Sequence, residues 1–171
     1  MFHDEGLGAY LVKYIELNYK PHPRLTIVEG SNLGFTLMTY YQEYDKIILV
    51  SSGSKEGEVG AISSENAQEI ISNENTTRKT ANEVELTMMI EICSFHEKMG
   101  EVQLITMTPK DIIEVKNGMT PEALAKMPNL VNATLKELEN SGIVLEPNGA
   151  DIGFDEIIEG FANPRVSDFI V

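Results

Sequence analysis

Apolar runs typical of β-strands alternate with helical segments along most of this chain. Residues 46–50 (KIILV) form a continuous apolar run that suits a strand buried on both faces, and residues 102–107 are a second strand candidate. Residues 25–28, a shorter β-rich run, are predicted as a third strand. Strands that alternate with helices predict a mainly parallel sheet with helices on both faces. The predicted fold class is therefore α/β.

Four segments have helical periodicity, with capping or turn residues at their ends. The fourth begins with Thr120-Pro121, a favoured helix start, and Pro128 is expected to bend or divide it. Apolar residues recur on one face of the third and predict its buried side: Val84, Met88, Ile92 and Phe95. The predicted helices span about residues 7–19, 31–44, 81–95 and 121–141.

The remaining segments are polar. Residues 51–60 are turn-forming, and residues 63–80 predict a long surface excursion with few core positions. From residue 146 the chain is acidic with weak periodicity, and one short helix is expected near residues 155–161. The predicted organisation is one domain, residues 1–145, followed by an acidic C-terminal tail, residues 146–171.

The chain is strongly acidic, with 27 Asp and Glu against 13 Lys and Arg and a formal net charge of -14. This charge opposes binding to nucleic acid or to anionic membrane surfaces. The single cysteine cannot form an internal disulfide, and no apolar run approaches the ~18 residues of a membrane span. The N-terminal residues lack the pattern of a signal peptide. We therefore expect a cytoplasmic, monomeric protein.

No phosphate-binding glycine loop, paired CxxC, HExxH or GxSxG motif is present. In an α/β fold the site lies beyond the carboxyl ends of the strands, which directs attention to Glu29, Ser51 and the loop after Met107. Cys93 lies three residues before His96 and could share a helical face with it. A lone cysteine among apolar residues is more often part of the core, and we predict packing for Cys93.

The acidic residues before the first helix have two interpretations. Asp4 and Glu5 are well placed to cap that helix and to interact with its dipole. Alternatively, a carboxylate there and the imidazole of His96 converge at the carboxyl edge of the sheet, where the pair suits a borderline divalent metal such as nickel or zinc. Two ligands are too few for tight binding, so no tightly bound cofactor is predicted.

Five segments resemble, in the same order, motifs of the nickel-iron hydrogenase maturation endopeptidases. Residues 4–8 (DEGLG) resemble the D-[DE]-G-x-G segment of that family, and residues 28–34 (VEGSNLG) are similar to its D-G-G-T-x-G loop. Residues 46–50 resemble the strand before its V-D-A segment, and residues 94–100 (SFHEKMG) its S-x-H-x-x-G segment. Residues 119–122 (MTPE) resemble its L-[ST]-P motif, and the resemblance spans about residues 1–143.

The resemblance implies an α/β/α sandwich that removes the C-terminal extension of the hydrogenase large-subunit precursor after nickel insertion. Nickel already present in the precursor is the implied recognition element. The nickel ion would contact Glu5, His96 and the residue at position 51, which is serine in this chain. Asp4 and Glu29 are the expected substrate-binding residues. The partner implied is the nickel-loaded precursor.

At position 51 the chain has serine where the family has aspartate. A neutral hydroxyl is a poor ligand beside a carboxylate, so the contact with nickel is expected to weaken. Glu29 and His3 are the neighbours that would compensate, although His3 is also interpreted simply as a loop residue. If nothing compensates, the alternative is a noncatalytic, chaperone-like binder of the same precursor.

The resemblance also implies an apolar strand and a G-x-G-N turn before the acidic segment, and this sequence begins inside that turn. Without this central strand, backbone groups of its neighbours are left unpaired and a gap opens between the layers. Because such a loss would be far more costly than one substitution, we expect that Met1 is an internal residue of a longer natural protein, or that the chain is truncated.

Overall fold

The computed structural model describes residues 3–30, 33–53, 57–72, 81–95 and 99–163. Two short 3-10 turns, His3–Gly6 and Gly34–Thr36, precede the first two α-helices. In chain order the elements are α1 (Leu7–Asn18), α2 (Leu37–Glu43), β1 (Lys46–Ser52), β2 (Ile62–Asn66), α3 (Ala67–Ser72), α4 (Ala81–Ser94), β3 (Glu101–Met107), α5 (Pro121–Leu124), α6 (Met127–Asn140) and α7 (Phe154–Ala162). Among these residues, no helix is long and apolar enough to cross a membrane.

The three strands form one sheet in the order β1-β3-β2. β1 is parallel to β3, with Ser51 opposite Thr106, and β2 is antiparallel to β3, with Ser63 also opposite Thr106. The central strand β3 is the most deeply buried of the three, whereas most of β1 is half-buried. The apolar run at residues 46–50 is therefore a strand as predicted, but it is not buried on both faces.

Helices cover the two faces of the sheet and create two separate cores. One core packs α1, α5, α6 and α7 against Ile105 and Met107 of β3. The other packs α2, α3 and α4 against Val102 and Leu104 of the same strand. Because side chains alternate across a strand, β3 supplies both cores from its two faces. The predicted α/β/α sandwich is confirmed.

Two predictions about strands are wrong. Residues 25–28 form no strand, because none of the described strands lies beside them to supply a hydrogen-bonded partner. β2 falls almost entirely within the predicted surface excursion at residues 63–80, and its antiparallel pairing makes the sheet mixed where a mainly parallel one was predicted. Its sequence, ISSEN, is mostly polar and lacks the apolar run that predicts a strand. An edge strand needs few apolar side chains because it is held mainly by backbone hydrogen bonds.

The predicted buried face of α4 is wrong at three of its four residues, and the side chain of the fourth, Val84, lies outside the described ones. Met88 and Ile92 are 42% and 39% exposed, and Phe95 beyond the helix is 89% exposed. The buried residues are instead Met89, Ile90 and Cys93, which face the core shared with α2 and α3. Apolar residues occur around much of this helix, so periodicity alone did not decide which stripe meets the sheet.

The last helices agree with the prediction in position but not entirely in role. Thr120 caps α5 by accepting a hydrogen bond from the N–H of Ala123 at 3.3 Å. The predicted long helix is divided into α5 and α6, and Pro128 lies in the first turn of α6. The segment predicted as a tail contains α7, which packs against α1 with Ile157 3% exposed. Ile157 of α7 thus belongs to the same core as α1 and α6.

Candidate functional site

A cavity of about 660 Å³ lies along β1, on the side away from β3. The segment 24–30 lines its opposite wall, and side chains of α1 and α2 contribute to it. Within the described parts of the chain, β1 pairs only with β3. The cavity therefore lies beside an edge strand of the described sheet.

This cavity brings together three of the predicted site residues. Glu5 lies in the turn before α1, Glu29 follows the segment 25–28, and Ser51 lies near the carboxyl end of β1. Glu5 and Glu29 are half-buried, whereas Ser51 is 6% exposed. Two carboxylates and a hydroxyl thus line one cavity, whose remaining wall is largely apolar.

Gly8 explains how Glu5 reaches the end of β1. A Cβ atom at Gly8 would lie 2.4 Å from the carbonyl oxygen of Val50. This is a steric clash, and a backbone oxygen cannot move aside as the end of a flexible side chain can. Glycine at this position therefore permits close contact between the first turn of α1 and the strand. That contact places Glu5 and Ser51 at the same edge of the sheet.

Asp4 occupies a different place from the one predicted for a substrate-binding residue. It is fully buried and does not line the cavity. Its carboxylate accepts four hydrogen bonds, from the N–H groups of Lys110, Asp111 and Thr120 and from the Thr120 hydroxyl. The carboxylate connects the first turn to the loop after β3 and to the start of α5.

Ser51 and Ser52 end β1 in a tightly packed corner. Gly53 follows them, and a Cβ atom there would lie 2.5 Å from the Thr106 side chain. The hydroxyl of Ser52 is buried and has no hydrogen-bond partner among the residues that the structure describes. Ser51 lines the cavity together with Glu5, whereas Ser52 does not.

His96, the predicted imidazole ligand, lies outside the described residues. Its neighbour Cys93 is fully buried on α4, and burial raises the pKa of its thiol. A buried thiol with a raised pKa is a poor nucleophile at neutral pH. The structure therefore agrees with packing as the role of Cys93.

Cationic groups lie toward the other end of the cavity. Lys46 forms ion pairs with Glu137 at 2.7 Å and with Glu101 at 3.0 Å. Burial opposes its positive charge, but the hydrogen bonds to Glu137 and Glu101 prevail and raise the pKa of the ammonium group. Arg24 donates a hydrogen bond to the carbonyl oxygen of Gly142 at 2.6 Å. The cavity is therefore acidic at the carboxyl end of β1, and its cations at the opposite end are engaged in local contacts.

Sequence reasoning did not associate the first turn with the loop after β3. Besides the hydrogen bonds to Asp4, the Asp4 N–H donates to the carbonyl oxygen of Asp111 at 3.0 Å. His3 and Asp111 approach each other to 3.8 Å, measured from Nδ1 to Oδ2. Sites in α/β folds lie beyond the strand ends, and this loop follows β3. No motif in the sequence distinguishes Asp111 from the other residues of the loop.

The fold and the site together define an α/β/α sandwich with an acidic cavity at the carboxyl end of a parallel strand. A family model described as hydrogenase maturation protease matches residues 9–137. The chain therefore belongs to the hydrogenase maturation protease family, whose members are proteases that act on hydrogenase large-subunit precursors. Among curated proteins, no sequence matches it significantly.

Solved structures with the same fold come from this family. The hydrogenase maturating endopeptidase HybD from E. coli is 20% identical, with a TM-score of 0.74 over 86% of this chain and 91% of that one. An endopeptidase from Escherichia coli solved in solution is 18% identical, with a TM-score of 0.75 over 88% and 93%. The NiFe hydrogenase maturation protease HycI from Thermococcus kodakarensis KOD1 is 13% identical, with a TM-score of 0.54 over 81% and 85%. At these identities the likeness establishes the fold.

Proposed function

We propose that this chain is an endopeptidase that removes the C-terminal extension of the nickel-loaded hydrogenase large-subunit precursor. The observation that carries the proposal is the single cavity lined by Glu5, Glu29 and Ser51 at the carboxyl end of β1. Membership of the maturation protease family supplies the reaction class. The nickel ion belongs to the substrate, and no tightly bound cofactor is proposed for this cavity.

In this proposal Glu5 and His96 contact the nickel of the precursor. Carboxylate oxygen and imidazole nitrogen are both suitable donors for that metal. Glu29 lines the same cavity and contacts the precursor chain next to the metal. Because the cavity is largely apolar beyond these groups, it suits a polypeptide segment more than a small polar ligand.

Ser51 sets the expected efficiency. A hydroxyl supplies no charge at neutral pH, so Glu5 is the only one of these two positions to offer the nickel a negative charge. An aspartate at position 51 would offer a second one. The Ser51 side chain lines the cavity, which means that an aspartate there would face the same space as Glu5. We therefore propose that Ser51→Asp strengthens the interaction with the nickel-loaded precursor.

The test mixes the purified protein with nickel-loaded precursor and follows the mass of the large subunit by mass spectrometry. We expect the parent protein to shorten the subunit and Ser51→Asp to shorten it faster. Glu5→Gln should cleave at least about tenfold more slowly, because it removes a direct contact with the metal. Glu139→Gln on the exposed face of α6 is the matched control and should cleave like the parent protein. If neither the parent nor Ser51→Asp shortens a precursor that another family protease processes, the proposed activity is wrong.

The replacement of aspartate by Ser51 favours one alternative, a noncatalytic binder that holds the precursor in the same cavity. That alternative predicts that the precursor co-purifies with the protein at its full length. Binding that is lost in Glu5→Gln, with no cleavage by the parent or by Ser51→Asp, would support it. Failure to retain the precursor at micromolar concentration would count against both functions.

A further inference from the structure

A second cluster of potential metal ligands lies outside the cavity. It consists of His3 in the first turn and Asp111 and Glu114 in the loop after β3. One ligand atom from each side chain lies within 4.8 Å of the other two. None of the three residues lines the cavity that contains Glu5 and Ser51.

His3 distinguishes this cluster from an ordinary group of surface acids. The residue is 8% exposed, and its Nδ1 atom is buried without a hydrogen-bond partner among the described residues. The distance of 3.8 Å from Nδ1 to the Asp111 carboxylate is too long for a hydrogen bond. Leaving a buried polar nitrogen unpaired is unfavourable, which suggests that another group occupies the space between them.

The backbone holds His3 against Asp111 without help from a ligand. The neighbouring Asp4 exchanges hydrogen bonds with the backbone of Lys110 and Asp111 at 2.9 to 3.0 Å. His3 itself has a φ of 25°, an uncommon conformation for a residue with a side chain. These contacts hold the backbone of His3 beside Asp111 in that conformation, and burial restricts its side chain.

The Asp111 carboxylate has one oxygen engaged and one directed toward His3. Its Oδ1 atom accepts hydrogen bonds from the N–H groups of Ile113 at 2.8 Å and Glu114 at 3.2 Å. Its Oδ2 atom is the one that approaches the imidazole. Glu114 is exposed, and its carboxylate is therefore free to move the short distance needed to complete a site.

We propose that His3, Asp111 and Glu114 form a binding site for one borderline divalent cation, zinc or nickel. Two carboxylates and an imidazole nitrogen are typical donors for these metals, whereas magnesium and calcium prefer oxygen atoms alone. Ligands around a four-coordinate zinc lie about 3.3 Å apart, given bonds of about 2.0–2.1 Å. The three ligand atoms lie within 4.8 Å of one another, so binding requires small movements of the side chains, for which the exposed Glu114 has the most freedom.

This site is separate from the contact with the nickel of the precursor and does not rest on the proposed function. Three protein ligands leave a fourth position for water, as in metal sites that remain open to exogenous ligands. The cation would also neutralise the two carboxylates of the loop in a chain of net charge -14. Its binding is measurable on the protein alone, without a hydrogenase precursor.

The experiment titrates the metal-free protein with zinc, nickel and, as a negative probe, magnesium, by isothermal titration calorimetry with metal analysis after dialysis. We expect one zinc or nickel ion per chain and no magnesium. Glu114→Gln and His3→Asn should each weaken zinc binding by at least about tenfold, because each removes a direct ligand. Asparagine is chosen at position 3 because it tolerates a positive φ.

Matched controls separate this site from the other acidic groups. Glu122→Gln alters an exposed carboxylate on α5, and His22→Asn alters another described imidazole; both should bind zinc like the parent protein. Glu5→Gln should also retain this zinc ion. Because Glu114 is exposed, its variant is expected to fold even if His3→Asn does not. The proposal is overturned if Glu114→Gln binds zinc like the parent, or if the bound ion is lost in Glu5→Gln instead.

Discussion

The carboxylate of Asp4 accepts hydrogen bonds from both the N–H and the hydroxyl of Thr120, at 2.7 Å and 2.9 Å. The same hydroxyl accepts the capping hydrogen bond from Ala123. A residue before α1 and the cap of α5 are therefore joined in one buried network. Through this network Asp4 holds the first turn against the start of α5.

Asp4→Asn is expected to destabilise the protein by about 2–4 kcal/mol, because an amide cannot accept all four hydrogen bonds and presents N–H groups to buried donors. Chemical denaturation followed by circular dichroism measures the effect. Glu5→Gln, one residue away and half-buried, should change the free energy of unfolding by less than about 0.5 kcal/mol. Equal denaturation midpoints for Asp4→Asn and the parent would contradict the structural role.

Gly8→Ala is expected to destabilise the protein by about 1–3 kcal/mol, even though alanine is the better helix former. The new Cβ would meet the carbonyl oxygen of Val50, and α1 would have to move away from β1. Gly160→Ala in α7 is the control, since nothing lies within 4 Å of a Cβ there. It should stabilise the protein by about 0.5–1 kcal/mol, and a similar gain from Gly8→Ala would show that the close contact is not formed.

Ile157→Ala tests whether the segment after residue 145 belongs to the domain. Ile157 is 3% exposed in the core beside α1, so its truncation should cost about 2–4 kcal/mol. Val144→Ala removes an aliphatic side chain that is 65% exposed and should have little effect. Thermal or denaturant unfolding of both variants gives the comparison, and equal stability of the two would restore the interpretation of this segment as a tail.

Asp111 is expected to titrate below the ordinary aspartate pKa of about 3.9. The N–H groups of Ile113 and Glu114 stabilise its charged form, with a smaller contribution from His3, and together they lower its pKa. Because the pKa is lower in the folded state, this stabilisation is present above the pKa of the unfolded chain and is lost as the pH falls through the folded value. Carboxyl-detected NMR gives the midpoint, and a value at or above the ordinary one would contradict the loop geometry.

Much of the architecture was predictable because the signals are local. The apolar run at residues 46–50, the periodicity of residues 7–19 and the Thr120-Pro121 start each depend on neighbours within one or two turns. The edge strand β2 had no such signal, since its polar residues are held by backbone hydrogen bonds to β3. Its pairing depends on a partner about 40 residues away in sequence.

The candidate site shows the same division. The sequence identified Glu5, Glu29 and Ser51 separately, from their positions next to predicted elements and from the family resemblance. Only the packing of α1 on β1, allowed by Gly8, places Glu5 and Ser51 along one cavity. Asp4 and Glu5 are adjacent and chemically alike in sequence, yet one is fully buried in a hydrogen-bond network and the other lines the cavity.

The sequence by itself determined the α/β class, the order of most helices and strands, and the acidic character of the chain. The tertiary structure decided which stripe of α4 is buried, that α7 joins the core, and that His3 meets Asp111. The physical reason is that backbone propensity and periodicity act over a few residues. Burial and ligand geometry depend instead on which distant surfaces come together, and a single sequence does not specify that locally.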